Sequence, residues 1–352
     1  MTNVLASRYV AFIKESTYGT AVAASSSYKI GEVDDESFTQ QFDVLNRASM
    51  SHYGATAATE GVFSSSGDIN APVILDDFTL ICFFEAFGVD TYSGGSKQHL
   101  LSETTDEDNL NSYTIRVGRE NKEHVFTGMV LDSISLSANI NEYAMFNASF
   151  VGCGEAGTAS LQTPGSSFPN FEGSEALHFS RAFVRFGNAA TDTQFSKAIT
   201  SFEVTINLGR DVENARSLGD STYVRKPNPT LREISGSIEF NRALYATSQA
   251  DDPGGTASGS PTYDELRQGL DRNGDSAGQA ALSILLEESG GSNYFRMDLF
   301  NVHFEAPEAA VSGRDGQTMS VSFVGLYDLG DSNAMARCLF EKDGLNANAA
   351  YT

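Results

Sequence analysis

Hydrolytic and group-transfer chemistry needs a nucleophile, a base or a metal held by convergent side chains. The chain has no G-x-S-x-G, no H-E-x-x-H and no phosphate-cradling glycine loop. Its five histidines, His52, His99, His124, His178 and His303, are scattered, and His303 alternates with apolar neighbours as a solvent-side strand residue does. The adjacent carboxylates Asp34–Asp35 and Glu287–Glu288 are what 46 acidic residues produce by composition, so an acid pair of the glycosidase kind is a weak reading. In 271–278, DRNGDSAG, the spacing of Asp271, Asn273 and Asp275 suits a cation loop, but Leu282 stands where the closing glutamate belongs. An Asx-rich turn explains the run better. Cys82, Cys153 and Cys338 are odd in number and widely spaced, which argues against a disulfide framework and a zinc site. The Asn147 sequon falls in the middle of an expected strand. No catalytic, cofactor-binding or metal-binding residues are therefore expected.

The elements that would have to position such residues are mostly strands. Short alternating runs flanked by Gly, Ser, Asn and Asp are common, and helix-length amphipathic patterns are scarce. The clearest pair is 133–140 with 144–150, where Ile134, Leu136, Ala138 and Ile140, then Ala144, Phe146, Ala148 and Phe150, alternate with polar residues. Asn141–Glu142 would turn that hairpin. One helix stands out in 76–88. Asp76 and Asp77 suit its N-terminus and Gly88 its C-terminal cap. Between them Leu80, Ile81, Phe83, Phe84 and Phe87 leave almost no polar face, so the helix must be covered, by 91–112 or by another subunit. A second, more polar helix is expected at 263–270. Residues 91–112 read as a solvated loop, and 48–60 and 215–230 as arms leaving the body.

With 352 residues, 40% hydrophobic and 24 of them Phe, the chain has ample material for a core. The formal charge of −23 excludes a phosphate-gripping surface, which needs clustered Lys and Arg. An acidic, Lys-poor composition suits a folded protein that stays soluble in high salt. No membrane-spanning apolar run and no signal peptide are visible.

Three short matches recur in the same order at nearly constant spacing. They are Asp43–Asn46 with Asp211–Asn214, Ser66–Ile69 with Ser235–Ile238, and Ser149–Gly152 with Ser322–Gly325. A tandem duplication is the reading, with strand composition alone as the alternative. The expected division is a first β domain at 1–152, a Gly-, Ser- and Pro-rich linker at 153–174 and a second β domain at 175–352.

Near the N-terminus, Glu15, Tyr18, Gly19 and Thr20 form E-x-x-Y-G-T after a short strand. The segment resembles the opening of major tail tube proteins of long-tailed, siphovirus-like viruses, and the later order of arm, S-G-x-I strand, apolar helix and hairpin is similar. The resemblance implies an antiparallel β-sandwich or half-barrel with a flanking helix. It implies a structural virion protein made in the host cytoplasm, with no cofactor, whose rings stack into the tail tube. Its partners would be other copies of itself, other tail proteins at the tube ends, and double-stranded DNA in transit without specific binding. Together with the composition it suggests a salt-loving, archaeal host. If each chain holds two tube domains, a trimeric ring with pseudo-sixfold symmetry is expected, with a true hexamer as the other possibility. Arg47, Met50, His52, Tyr53, Arg216, Tyr223 and Arg225 are then candidates for stacking arms, and Leu80, Phe83, Phe84 and Phe87 for a subunit contact. The alternative is a glycan-binding β-sandwich module using Tyr92, Tyr113 and Tyr263.

Overall fold

The computed structural model describes residues 8–48, 50–104, 111–162, 175–186, 199–216, 218, 225–240, 280–305, 308–310, 318–328 and 334–351. The fold is mainly antiparallel β. The first part contains β1 (Tyr9–Lys14), β2 (Lys29–Gly31), β3 (Asp35–Glu36), β4 (Thr39–Ala48), β5 (Ala55–Pro72), α1 (Asp77–Phe87), β6 (Gly88–Ser93), β7 (Gln98–Glu103), β8 (Tyr113–Arg119), β9 (Lys122–Asn139), β10 (Met145–Gly152) and β11 (Gly154–Ala159). The second contains β12 (Ala182–Phe186), β13 (Ile199–Asn207), β14 (Arg210–Asp211), β15 (Asn228–Pro229), β16 (Glu233–Phe240), β17 (Ala280–Glu287), β18 (Tyr294–Phe304), β19 (Glu308–Ala310), β20 (Thr318–Gly325) and β21 (Ala336–Glu341).

The long strand β9 serves two sheets. Its first half pairs with β8 and β11, and its second half pairs with β10 on one side and β13 on the other. The register slips between Ser149 opposite Ser133 and Phe150 opposite Leu131, a bulge that leaves Asp132 over and bends the strand. The hairpin read from alternation is present, with Asn141 at φ 72° in its turn. A principal sheet thus runs β5, β10, β9, β13, β16, β20 across both parts of the chain, with β3 and β4 outside β5. Ile69, Phe150, Leu136, Val204, Ile238 and Phe323 are buried on its inner face. Two further ladders complete the fold. One is β2–β1–β8–β9–β11, and the other is β12–β17–β18–β21–β7–β6, which joins β7 near the start of the chain to β21 near its end.

Helix α1 is capped as its sequence predicts. The Asp76 carboxylate accepts from the Thr79 N–H at 2.8 Å, and Gly88 adopts φ 94°, which favours glycine, with its N–H returning to the Phe84 carbonyl. Every helix residue except Glu85 is buried. The Phe83 ring lies 5.9 Å from Phe146, 4.9 Å from Phe295 and 5.9 Å from Phe340, so the helix joins the first part to the second. Two expectations change here. Residues 91–112 are not simply a solvated loop: they contribute to the β6–β7 hairpin, where His99 and Leu101 are buried beneath polar neighbours that hid the alternation. The stretch read as a linker begins with β11, because Gly154–Ala159 hydrogen-bond to β9. The expected helix at 263–270 lies outside the described residues.

Two of the three sequence matches sit in the same register. Phe150 faces Gly67 as Phe323 faces Gly236, and Ser149 faces Asp68 as Ser322 faces Ser237. Both glycines leave room for an aromatic ring. A Cβ on Gly67 would meet the Phe38 ring at 2.5 Å, and one on Gly236 would overlap the Phe323 ring and the Glu203 carbonyl. The Asp43 match is displaced by two residues: Leu45 opposite Thr59 corresponds to Asp211 opposite Asn228, so Asp43 answers to Gly209. The correspondence extends to strands with no visible sequence match. Val10 opposite Val117 recurs as Val184 opposite Ile284, and Ile115 opposite Phe126 recurs as Leu282 opposite Leu299. The register is also shifted by one residue between the pair Phe304–Phe323 and the pair Glu308–Ser320, as it is between Leu131–Phe150 and Ser133–Ser149.

Candidate assembly surface

Glu15 follows β1 and is buried. Its carboxylate accepts from Ser112 Oγ at 2.8 Å and from Thr114 Oγ1, Gly19 N and Gly128 N at 2.9 Å each. Four donors satisfy a group that would otherwise be costly to bury. Gly19 takes φ 72° to turn its N–H inward, and the Thr20 N–H closes the turn on the Thr17 carbonyl at 3.1 Å. Tyr18 covers Gly128 and donates its hydroxyl to the Arg225 carbonyl at 3.1 Å. The E-x-x-Y-G-T residues therefore clasp β1, β8 and β9 together and touch the second arm.

The first arm is the β4–β5 hairpin. Its ladder extends to Ala48 opposite Ala55, well beyond the body of the sheet. Phe42, Val44 and Leu45 are half or more exposed, and Met50 and Tyr53 at the tip are fully so. Arg47 and His52 are exposed with them. A two-stranded ribbon with apolar side chains in water has little to stabilise it alone. The second arm differs. Its stem is the short β14–β15 ladder, Arg216 donates to the Phe63 carbonyl at 3.4 Å, and the Arg225 N–H returns to the Ala215 carbonyl at 2.9 Å. Arg216 and Arg225 lie against the first part of the chain, and Tyr223 is outside the described residues. Leu80, Phe83, Phe84 and Phe87 are buried within their own chain, which leaves them no face for a neighbour.

The outer face of the principal sheet is polar across both parts of the chain. It carries Ser135 and Ser137, Asn147 and Ser149, Asp68, Glu203 and Thr205, Glu233, Ser235, Ser237 and Glu239, and Ser320 and Ser322, none of them buried. On the six strands from β5 to β20 no Lys or Arg stands at these outward positions. A surface of hydroxyls and carboxylates offers phosphates no ion pair.

The residues first considered for chemistry are engaged elsewhere or apart. Glu288 is paired with Lys342 at 3.0 Å and accepts from Asn293 at 2.6 Å. His99 is buried with Nδ1 on Asp90 at 2.8 Å and Nε2 facing the Leu345 carbonyl at 3.3 Å, a structural setting near the chain's end. Cys82 and Cys338 are buried and Cys153 partly so, all three as free thiols. Among the described residues no three His, Cys, Asp or Glu side chains are placed to hold a metal ion. The run 271–278 is outside those residues. Of the aromatic set considered for glycan binding, Tyr113 is buried, donating to Glu85 at 2.5 Å, and so offers no surface to a glycan; Tyr92 is half-buried, and Tyr263 lies outside the described residues. Among the described residues no helix is long and apolar enough to cross a membrane.

What remains is a sheet with a cation-free face, an exposed apolar hairpin and a clasp built from the N-terminal signature. A family model described as phage tail tube protein matches residues 6–325. The chain belongs to the phage tail tube protein family. No curated protein matches it. As a tail tube protein it is a structural part of the virion tail, a family role of self-assembly with other tail proteins rather than catalysis. The signature spacing could be read from sequence; the cation-free face could not, because its residues come from six strands whose order only pairing defines.

Proposed function

We propose that this tail tube protein forms rings that stack into the conduit through which double-stranded DNA leaves the virion of a siphovirus-like particle. The observation that carries the reading is the cation-free outer face of the principal sheet, continuous across both parts of the chain. Facing a lumen, it would let DNA slide without pausing at ion pairs. The repeated ladder registers support two copies of one tube fold per chain, with β11 counted in the first copy. Three chains would then supply six copies, so a trimeric ring with pseudo-sixfold symmetry is preferred to a hexamer. The β4–β5 hairpin, with Phe42, Leu45, Met50 and Tyr53 in water, is suited to a head-to-tail contact with the next ring, a contact that repeats into a filament. The charge of −23 suits a virus of a salt-loving host, since salt screens repulsion between copies. Negative-stain microscopy of the purified chain across salt concentrations tests the reading. Rings and tubes are expected, and monomers under every condition would overturn it.

A further inference from the structure

We propose that β19 of one chain pairs antiparallel with the β3–β4 edge of a second copy, placing Ala309 opposite Phe38, Glu308 opposite Thr39 and Ala310 opposite Ser37. The inference rests on the reading of two tube copies per chain, and it adds the residues of the joint between chains. Its template lies inside the molecule, where β9 of the first copy pairs with β13 of the second. There Ser135, Leu136 and Ser137 face Thr205, Val204 and Glu203.

Each side of that joint has a counterpart at an open edge. Glu308 opposite Ser320 and Ala309 opposite Met319 repeat Ser135 opposite Asn147 and Leu136 opposite Phe146, so β19 stands where the end of β9 stands. Thr39 opposite Ser66 repeats Thr205 opposite Ser235, so the β3–β4 edge stands where β13 stands. Among the described residues β13 is paired on both sides. There β19 is paired by β20 alone, and β3 and β4 by β5 alone.

A cavity marks the open position. About 540 Å³ opens between Arg8–Val10 and Val33–Glu36. The corresponding place in the second copy, between Ala182, Val184 and Ile199–Phe202, holds only about 80 Å³ and is also lined by Ala138, Asn139 and Ile140 at the end of β9. The incoming strand occupies the internal site, and the same site in the first copy is left for a second chain.

The open edge is also guarded. Ile140 N–H to Thr200 O and Leu208 N–H to Asp132 O set the phase of the internal ladder, in which Val204 exchanges hydrogen bonds with Leu136. Phe38, the counterpart of Val204, therefore turns its peptide groups outward, while the Ser37 N–H points to Asp68 O on β5. In the single chain both Phe38 groups are taken. Its N–H donates to Glu36 Oε2 at 3.1 Å and its carbonyl accepts from Arg119 Nη2 at 2.6 Å. The two side chains grip each other, Arg119 Nε to Glu36 Oε1 at 2.7 Å. An edge strand masked this way resists casual pairing. The pair is partly exposed, so salt weakens it, and a docking β19 must displace it.

Cysteine pairing in the assembled protein tests the register. Thr39 and Glu308 correspond to a non-hydrogen-bonded pair, where Cα atoms lie about 4.5 Å apart, within disulfide reach. Oxidised tubes of the Thr39→Cys/Glu308→Cys variant should run as covalent multimers on a non-reducing gel, ending at the trimer if three chains close a ring. Wild type and the shifted pair Ser37→Cys/Glu308→Cys should stay monomeric on that gel. Ala309→Pro removes only the outward N–H and should leave the melting temperature unchanged while abolishing rings. Arg119→Gln should lower the salt concentration at which rings appear. Tubes of the Thr39→Cys/Glu308→Cys variant that form as wild type does but carry no 39–308 link, or rings from Ala309→Pro, overturn the joint and leave the tube reading standing. An unchanged salt threshold in Arg119→Gln overturns the guard, and wild type without rings overturns the tube reading and the joint with it.

Discussion

Glu15 accepts hydrogen bonds from two hydroxyls and two backbone N–H groups drawn from three separate segments. Its spacing to Tyr18, Gly19 and Thr20 was legible in the sequence, but its task was not, since Ser112, Thr114 and Gly128 lie about a hundred residues away. Glu85 is the other carboxylate with a measurable consequence. Burial pushes it above the ordinary glutamate range, opposed by hydrogen bonds from Tyr113 at 2.5 Å and Asn111 at 2.9 Å. Its folded value lies above its unfolded one, so its contribution is full below about 4.3 and is lost as pH rises through the folded value. Glu85→Gln keeps an acceptor for Tyr113 and removes the titration. Relative to wild type, the variant should gain melting temperature as pH rises from mildly acidic to neutral, by about 2 °C for each kcal/mol. A difference that stays flat with pH would refute the assignment.

At the scale of elements, α1 and the β9–β10 hairpin were legible because capping residues and strict alternation are local signals. The setting of α1 was not. Five large apolar side chains in eight residues demand cover, but sequence cannot say whether a neighbour or the chain's own second half supplies it. Phe295 and Phe340, more than two hundred residues on, supply it here. The β6–β7 hairpin escaped notice because Gln98, His99 and Ser102 break the apolar pattern, although His99 is buried. The position of Phe83 between the two parts carries a prediction. Phe83→Ala should cost about 3–5 kcal/mol, and both parts should still unfold in one transition, followed by calorimetry. Two separated transitions in the variant would mean that each part is stable without the helix contact.

At the scale of the molecule, the chain was readable as mainly β and as a tail tube protein, but the recurrence of its ladder registers was barely visible. The recurrent glycines survive in sequence because a Cβ at Gly67 or Gly236 has no space. Elsewhere many different side chains satisfy the same ladder, so Ile115 and Leu282, or Phe126 and Leu299, hold equivalent places without matching stretches around them. The net charge belongs to this scale too. With −23 on each chain, assembly works against long-range repulsion that salt removes. Tubes formed in high salt should dissolve on dialysis to low salt, followed by light scattering and microscopy. Tubes indifferent to dilution would mean that contacts at the joints outweigh the repulsion unaided.

The pairing of β7 with β21 has a consequence for how the protein is made. Residues 98–103 find their partner only at 336–341, so a chain leaving the ribosome carries an uncovered edge until that later strand has been synthesised. The Phe83 face of α1 waits over the same interval for Phe295 and Phe340. Such long-range closure is slow and leaves nascent chains open to misassociation. The β7 edge and the Phe83 face of the first part are therefore closed only once the second part of the chain is in place.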